Sequence, residues 1–247
     1  MQFILEGLRE AFRLLFTGDP STYQIALRSL EVALAALAIS LVIGVPLGAV
    51  IALNRFFAKR FLVAVVNTGM RTPPVVVGLV VALFLVHSGP LGSLDWMYTI
   101  RAMIVAQVFI ALPIVMGLSL AALQQLDSGY RLQVLALGAG RWRTFALLLR
   151  EIRIPLMGAV MAAFGGVISE VGAVLIVGGN IKGQTQVLTT GIVQYVDEGI
   201  YGTAMALSII LILLAFSTNY AMTIIQQHGA GPSRISPYLL SRVSART

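Results

Sequence analysis

The sequence predicts an all-α polytopic membrane protein of five transmembrane helices, with an amphipathic helix at its amino end and short helices on its inner side. Three observations carry that prediction. Of 247 residues, 58% are hydrophobic and only 11% charged, less than half the share of about a quarter that a soluble domain carries. The mean hydropathy is +0.91, and the apolar residues stand in long runs, so the solvent for most of the surface is lipid. Five of those runs are long enough to cross a hydrocarbon core of about 30 Å at about 1.5 Å per residue.

At the start of the chain, Phe3, Ile4, Leu8, Phe12, Leu15 and Phe16 recur at helical spacing, with Glu6, Arg9, Glu10 and Arg13 between them. Residues 2–17 therefore read as a helix lying in the interface, and residues 1–20 as an interfacial unit. The same charges exclude a signal peptide, whose apolar core is uninterrupted. Gly18-Asp19-Pro20 ends the helix, and Ser21 or Thr22 offers a cap for the next one. Residues 21–227 hold the spans. The first covers residues 30–53 and is free of charge from Val32 onward. The second, 61–86, is interrupted by Thr72-Pro73-Pro74. Neither 61–70 nor 75–86 reaches across alone, which predicts one helix kinked where two backbone donors are missing. The third, fourth and fifth cover 103–123, 156–177 and 204–225. Residues 228–247, with their Gly, Pro and Ser, read as a flexible cytoplasmic tail.

Charge sets the orientation. A pI near 10.2 could suggest nucleic acid, but the basic residues cluster as cytoplasmic loops do. Arg55, Lys59 and Arg60 come after the first span. Arg131, Arg141, Arg143, Arg150 and Arg153 come after the third, and Arg234, Arg242 and Arg246 stand in the tail. With an odd number of spans these regions share one side, so the chain starts outside and ends in the cytoplasm. No nucleic-acid partner is expected. The chain has no cysteine, which excludes disulfides and thiolate metal sites. His87 and His228 lack partner ligands, so no metal is expected. No Gly-Lys-Ser/Thr phosphate loop occurs, so the chain is not itself an ATPase. Nor does it hold a His/carboxylate cluster suited to hydrolysis.

The loop between the third and fourth spans, residues 124–155, is the longest internal one. Leu132, Leu135, Ala136, Phe145, Leu148 and Leu149 give it an apolar face, and Gly138-Ala139-Gly140 breaks it in the middle. The pattern predicts two short helices meeting at a turn, a basic handle suited to a groove on another protein. Here the chain resembles the permease subunits of ABC importers. The likeness lies in Ala136, Leu137-Gly138-Ala139-Gly140-Arg141-Trp142, Phe145 and Ile152-Arg153-Ile154-Pro155. It departs from their pattern where Leu132, Gln133 and Val134 replace a Glu-Ala-Ala start, and the spacing from Gly138 to Pro155 is longer than usual. The resemblance implies an ABC importer type I permease fold whose coupling helix is received by an ATPase subunit.

Three further stretches resemble the tungstate/molybdate-type permeases: Arg71 through Leu79, Ser88-Gly89-Pro90-Leu91-Gly92, and Ser169 through Ile181. The likeness covers roughly residues 23–226. It implies an inner-membrane subunit that pairs with a second copy of itself. Two ATPase subunits would dock inside and a substrate-binding protein outside. ATP and Mg would belong to the ATPase, with no cofactor on this chain. Sulfate or phosphate permeases, and a scaffold that recruits a partner without transport, remain alternatives.

Arg71 and Glu170 are the ionisable groups well inside spans, where such groups pair or face an aqueous cavity. Two readings fit: a structural bridge between them, or an anion path to which Arg71 gives positive potential while Glu170 holds it. Thr72, Pro73, Pro74 and Asn180 join them as path residues, because the Pro-Pro break exposes backbone groups in mid-span. The small residues Gly158, Ala159, Ala162, Ala163, Gly165 and Gly166 predict close helix contact within the chain or between copies.

Overall fold

The computed structural model describes residues 2–16 and 20–229, which form helices and connecting turns with no strand among them. Gly18, Asp19 and the tail from Ala230, with its three arginines, lie outside the described residues. Helix α1, Gln2–Phe16, is the expected amphipathic helix. It lies along the last helix, and a Cβ at Gly7 would overlap the Met205 side chain. Helix α2, Pro20–Leu53, has 34 residues and so runs for about 50 Å. It includes Pro20, so Ser21 and Thr22 sit in its first turn rather than ahead of it as a cap. It also starts well before residue 30, because the polar turns carrying Arg28 and Glu31 continue the apolar ones.

Small residues bring α2 against α5, Ile100–Gln124. Ala36, Ser40, Gly44 and Gly48 recur every four residues and are all buried, giving one ridge that lets backbones approach. A Cβ at Gly44 would stand 3.0 Å from Val115 Cγ1, and one at Gly48 2.7 Å from the Met116 carbonyl oxygen. The third long helix is α11, Tyr201–Gly229. These three are each long and apolar enough to cross a membrane.

The second span is not one kinked helix. Helix α3, Lys59–Gly69, and α4, Pro74–Leu85, meet at 101°. Pro73 is extended at φ −57°, ψ 127°, as a residue before proline must be, and Pro74 opens α4 where its missing N–H is no loss. The fourth span is also interrupted. Helices α6, Ser128–Ala136, and α7, Arg141–Glu151, precede α8, Arg153–Ile168, which bends 72° from α7. Helix α8 stops at Ile168 and α9, Gly172–Gly178, resumes after Glu170. Arg141, Arg143 and Arg150 make α7 the polar member of the α7–α8 bent pair, and α8 the apolar one. By length and composition the three long helices, with each bent pair counted as one span, give up to five candidate spans, the number expected.

The two broken spans pack on one another. A Cβ at Gly78 of α4 would lie 2.5 Å from Ala173 Cα of α9, and Val81, Leu85, Met103, Ala106, Val174 and Val177 close the core around that crossing. Helix α10, Leu188–Asp197, returns the chain to α11. On α8, Ala159 and Ala163 face the core, 1% and 0% exposed. Gly158 and Gly165 face the other way, where an added Cβ would meet nothing within 4 Å.

Candidate coupling surface and translocation path

The helical handle forms as its sequence predicts, with the expected apolar face on α7 and a different one on α6. Gly138 ends α6 in the left-handed region at φ 77°, a position that favours glycine. Gly140 starts α7, where its carbonyl accepts from Thr144 N at 2.9 Å, and Thr144 Oγ1 donates to Ala139 O at 3.2 Å. Helix α7 is anchored by Leu148 and Ile152, each 1% exposed, against Ala49, Ala122 and Leu123, with Phe145 and Leu149 beside them. On α6 the buried residue is Val134. Leu132 and Ala136, expected on that face, are exposed, because the turn rotates α6 away from the spans. The Leu135 side chain lies outside the described residues. Pro155 falls in the first turn of α8, where proline is tolerated. What the turn presents outward is Leu137 at 87% and Trp142 at 85% exposure, beside exposed Ala136, Gly138, Gly140, Arg141 and Arg143. An exposed Trp flanked by arginines has the make-up of a protein-docking hot spot, and Leu137 adds apolar area beside it.

The path residues do not form one site: Arg71, Thr72 and Pro73 share a cavity, and Glu170 and Asn180 lie apart from it. Arg71 is exposed on the turn between α3 and α4, in an open cavity of about 700 Å³ lined also by Asn67, Thr68, Thr72 and Pro73. Thr72 Oγ1 donates to Thr68 O at 3.0 Å, which holds that turn. Glu170 forms no ion pair with Arg71. Its Oε1 accepts from Ala173 N at 2.9 Å, and its carbonyl accepts from Thr189 Oγ1 at 2.9 Å. A carboxylate at the start of a helix satisfies a free backbone donor, so Glu170 caps α9 and the bridge reading is corrected. Asn180 sits past the other end of α9 at φ 49°. Its Nδ2 donates to Gln194 Oε1 at 2.9 Å, the oxygen that also accepts from Gln186 Nε2 at 2.7 Å. Asn180 therefore fastens the loop after α9 to α10.

Two polar residues escaped the sequence reading. Gln107, 5% exposed in the middle of α5, donates from Nε2 to Val167 O at 3.1 Å, tying α5 to α8 next to its break. It is the one amide inside the third span, and a search for amides as well as charges would have found it. Arg28 of α2 donates to Gly183 O in the loop between α9 and α10, a contact with no local signal.

The profile of a family described as "Binding-protein-dependent transport system inner membrane component" matches residues 44–228. The chain is 39% identical to a tungstate uptake system permease protein of Peptoclostridium acidaminophilum, over 92% of this chain and all of that one. It is 40% identical to a probable anion ABC transporter permease of Haloferax volcanii, over 77% of this chain and 84% of that one. Among solved structures, an inward-facing form of the MetNI methionine ABC transporter matches with a TM-score of 0.72 at 19% identity. That match covers 86% of this chain and 98% of the other, so the fold is shared. The profile match over residues 44–228 and the 39% identity along 92% of the chain, on a chain whose broken apolar helices carry an exposed helical handle, mean that this protein belongs to the binding-protein-dependent transport system inner membrane component family, the multi-pass permeases of ABC importers.

Proposed function

We propose that this permease carries a tungstate or molybdate oxyanion into the cytoplasm, working as a homodimer with two ATPase subunits inside and an anion-binding protein outside. The observation that carries the substrate is the likeness to a tungstate uptake permease along nearly the whole of both chains. The chain begins outside and ends inside, so that the α6–α7 turn meets the ATPase. Leu137, Arg141 and Trp142 insert into the partner's groove, and the mobile unit is α7 with the adjoining α8. ATP is bound and hydrolysed by the partner. Nucleotide-driven closure of the ATPases favours one arrangement of the spans, through the difference in affinity between the two states. The open side of α8, with Gly158, Ala162 and Gly165, supports a pairing of two copies, since small residues permit close helix contact. Arg71 provides positive potential in its cavity, and the exposed backbone of the α3–α4 turn supplies further weak contacts. With few fixed charges in the spans, selection among anions rests mainly on the external binding protein.

The test is ATPase stimulation of the assembled complex, with its binding protein, by tungstate, molybdate, sulfate and phosphate. Stimulation by tungstate or molybdate at concentrations where sulfate does nothing supports this assignment. Stimulation by sulfate or phosphate alone contradicts it, and a complex without any anion-stimulated turnover points to a scaffold.

A further inference from the structure

A groove of about 670 Å³ runs down the outside of the helix bundle, between α2 and α8, with α7 at one end and α11 along its side. Val45, Leu149, Leu156, Met157 and Val160 line it with hydrocarbon, and Val42 at its edge is 75% exposed. At its α7 end stands Arg153, exposed at the first position of α8, and Arg150 is exposed one turn earlier. Glu151 lies between them, so among the described residues that corner carries a net positive charge, and Arg153 also has a contact within the chain. From Arg153 to Val160 the groove descends about 10 Å at about 1.5 Å per residue. A hydrocarbon channel of that depth, basic at the membrane boundary, has the shape and charge pattern of one acyl chain below an acidic headgroup.

We propose that this groove binds an anionic phospholipid, its phosphate on Arg153 and one acyl chain against Val45, Met157 and Val160. Basic pockets between helices on the cytoplasmic side of a membrane recognise acidic headgroups in this way, and a guanidinium suits phosphate through paired donors. The chain's own tail is a poorer occupant, because it brings Arg234, Arg242 and Arg246 toward Arg153. The bound lipid packs against Phe145 and Leu149 of the handle, so membrane composition bears on how firmly α7 is held. The inference rests on the chain's lying in a membrane and on neither the transported anion nor the ATPase.

Native mass spectrometry of the full-length purified protein tests it, with dioleoyl phosphatidylglycerol and dioleoyl phosphatidylcholine offered in equal amounts. The expected result is retention of phosphatidylglycerol about 5-fold over phosphatidylcholine. Arg153→Gln removes the preference, Arg153→Lys keeps part of it, and Arg246→Gln, an equal charge change in the tail, leaves it intact. Met157→Trp, which fills the groove, lowers retention of both lipids, and Val160→Phe repeats that test from one turn further along. Equal retention of the two lipids by the unaltered protein overturns the proposal. So does a preference that survives Arg153→Gln, or one that appears only when the chain is cut after Gly229, which would make the tail the occupant.

Discussion

Glu170 shows how one residue changes meaning once its partners are known. In a span it reads as a charge seeking a counter-charge. In the fold it accepts Ala173 N at 2.9 Å and caps α9. The capping role predicts that Glu170→Gln, which keeps an acceptor, is mild, whereas Glu170→Ala lowers stability by about 1 kcal/mol, read as a fall in the detergent-solubilised unfolding midpoint. It also predicts that the swap Arg71→Glu with Glu170→Arg leaves transport as poor as the worse single variant, since no bridge exists to restore. Full recovery would reinstate the bridge. Gly138 gives a second test. Its φ of 77° and the open space around it separate conformation from crowding. Gly138→Asn, which tolerates the left-handed region, keeps ATPase association. Gly138→Val costs about 1–2 kcal/mol of local strain and weakens association, measured by co-purification of the two subunits.

Among the elements, the long helices were legible because charge-free runs and periodic small residues depend on the local chain alone. The breaks were less so. Thr72-Pro73-Pro74 announced an interruption, but its 101° angle is set by α4 lying on α9 through Gly78 and Ala173, which are far apart in sequence. The stop at Ile168 carried no proline and no turn cluster, only one acid in an apolar run. The handle was legible as two helices because Gly138 and Gly140 bracket the turn. Which side of α6 faces inward was not, since the turn's rotation decides it. The α4–α9 crossing yields its own expectation. Gly78→Leu places side-chain atoms where the Ala173 backbone stands, and overpacking of this kind costs about 1–3 kcal/mol. A lower unfolding midpoint together with loss of uptake is the expected result. An unchanged midpoint would mean that the two broken spans do not pack as described.

At the scale of the whole molecule, the apolar candidate spans and the family were readable from composition and the handle motif, while the arrangement of path residues was not. Arg71, Glu170 and Asn180 stand in three separate places: Arg71 in the open cavity at the α3–α4 turn, Glu170 at the start of α9, and Asn180 against Gln194 of α10. The open side of α8 gives the prediction that belongs here. Gly158→Phe adds bulk where nothing lies within 4 Å, so the monomer keeps its helical content while dimer cross-linking and transport fall at least about tenfold. A dimer that tolerates this change uses another face.

The central claim is that the turn between α6 and α7 is a handle held from the cytoplasm by an ATPase. The chain has no cysteine, so Leu137→Cys creates a single reactive thiol at its most exposed point. Labelling with a membrane-impermeant maleimide is expected in inside-out vesicles and not in right-side-out ones, and to drop several-fold when the ATPase subunits are bound. Labelling from the outer side, or labelling indifferent to the ATPase, would contradict the account.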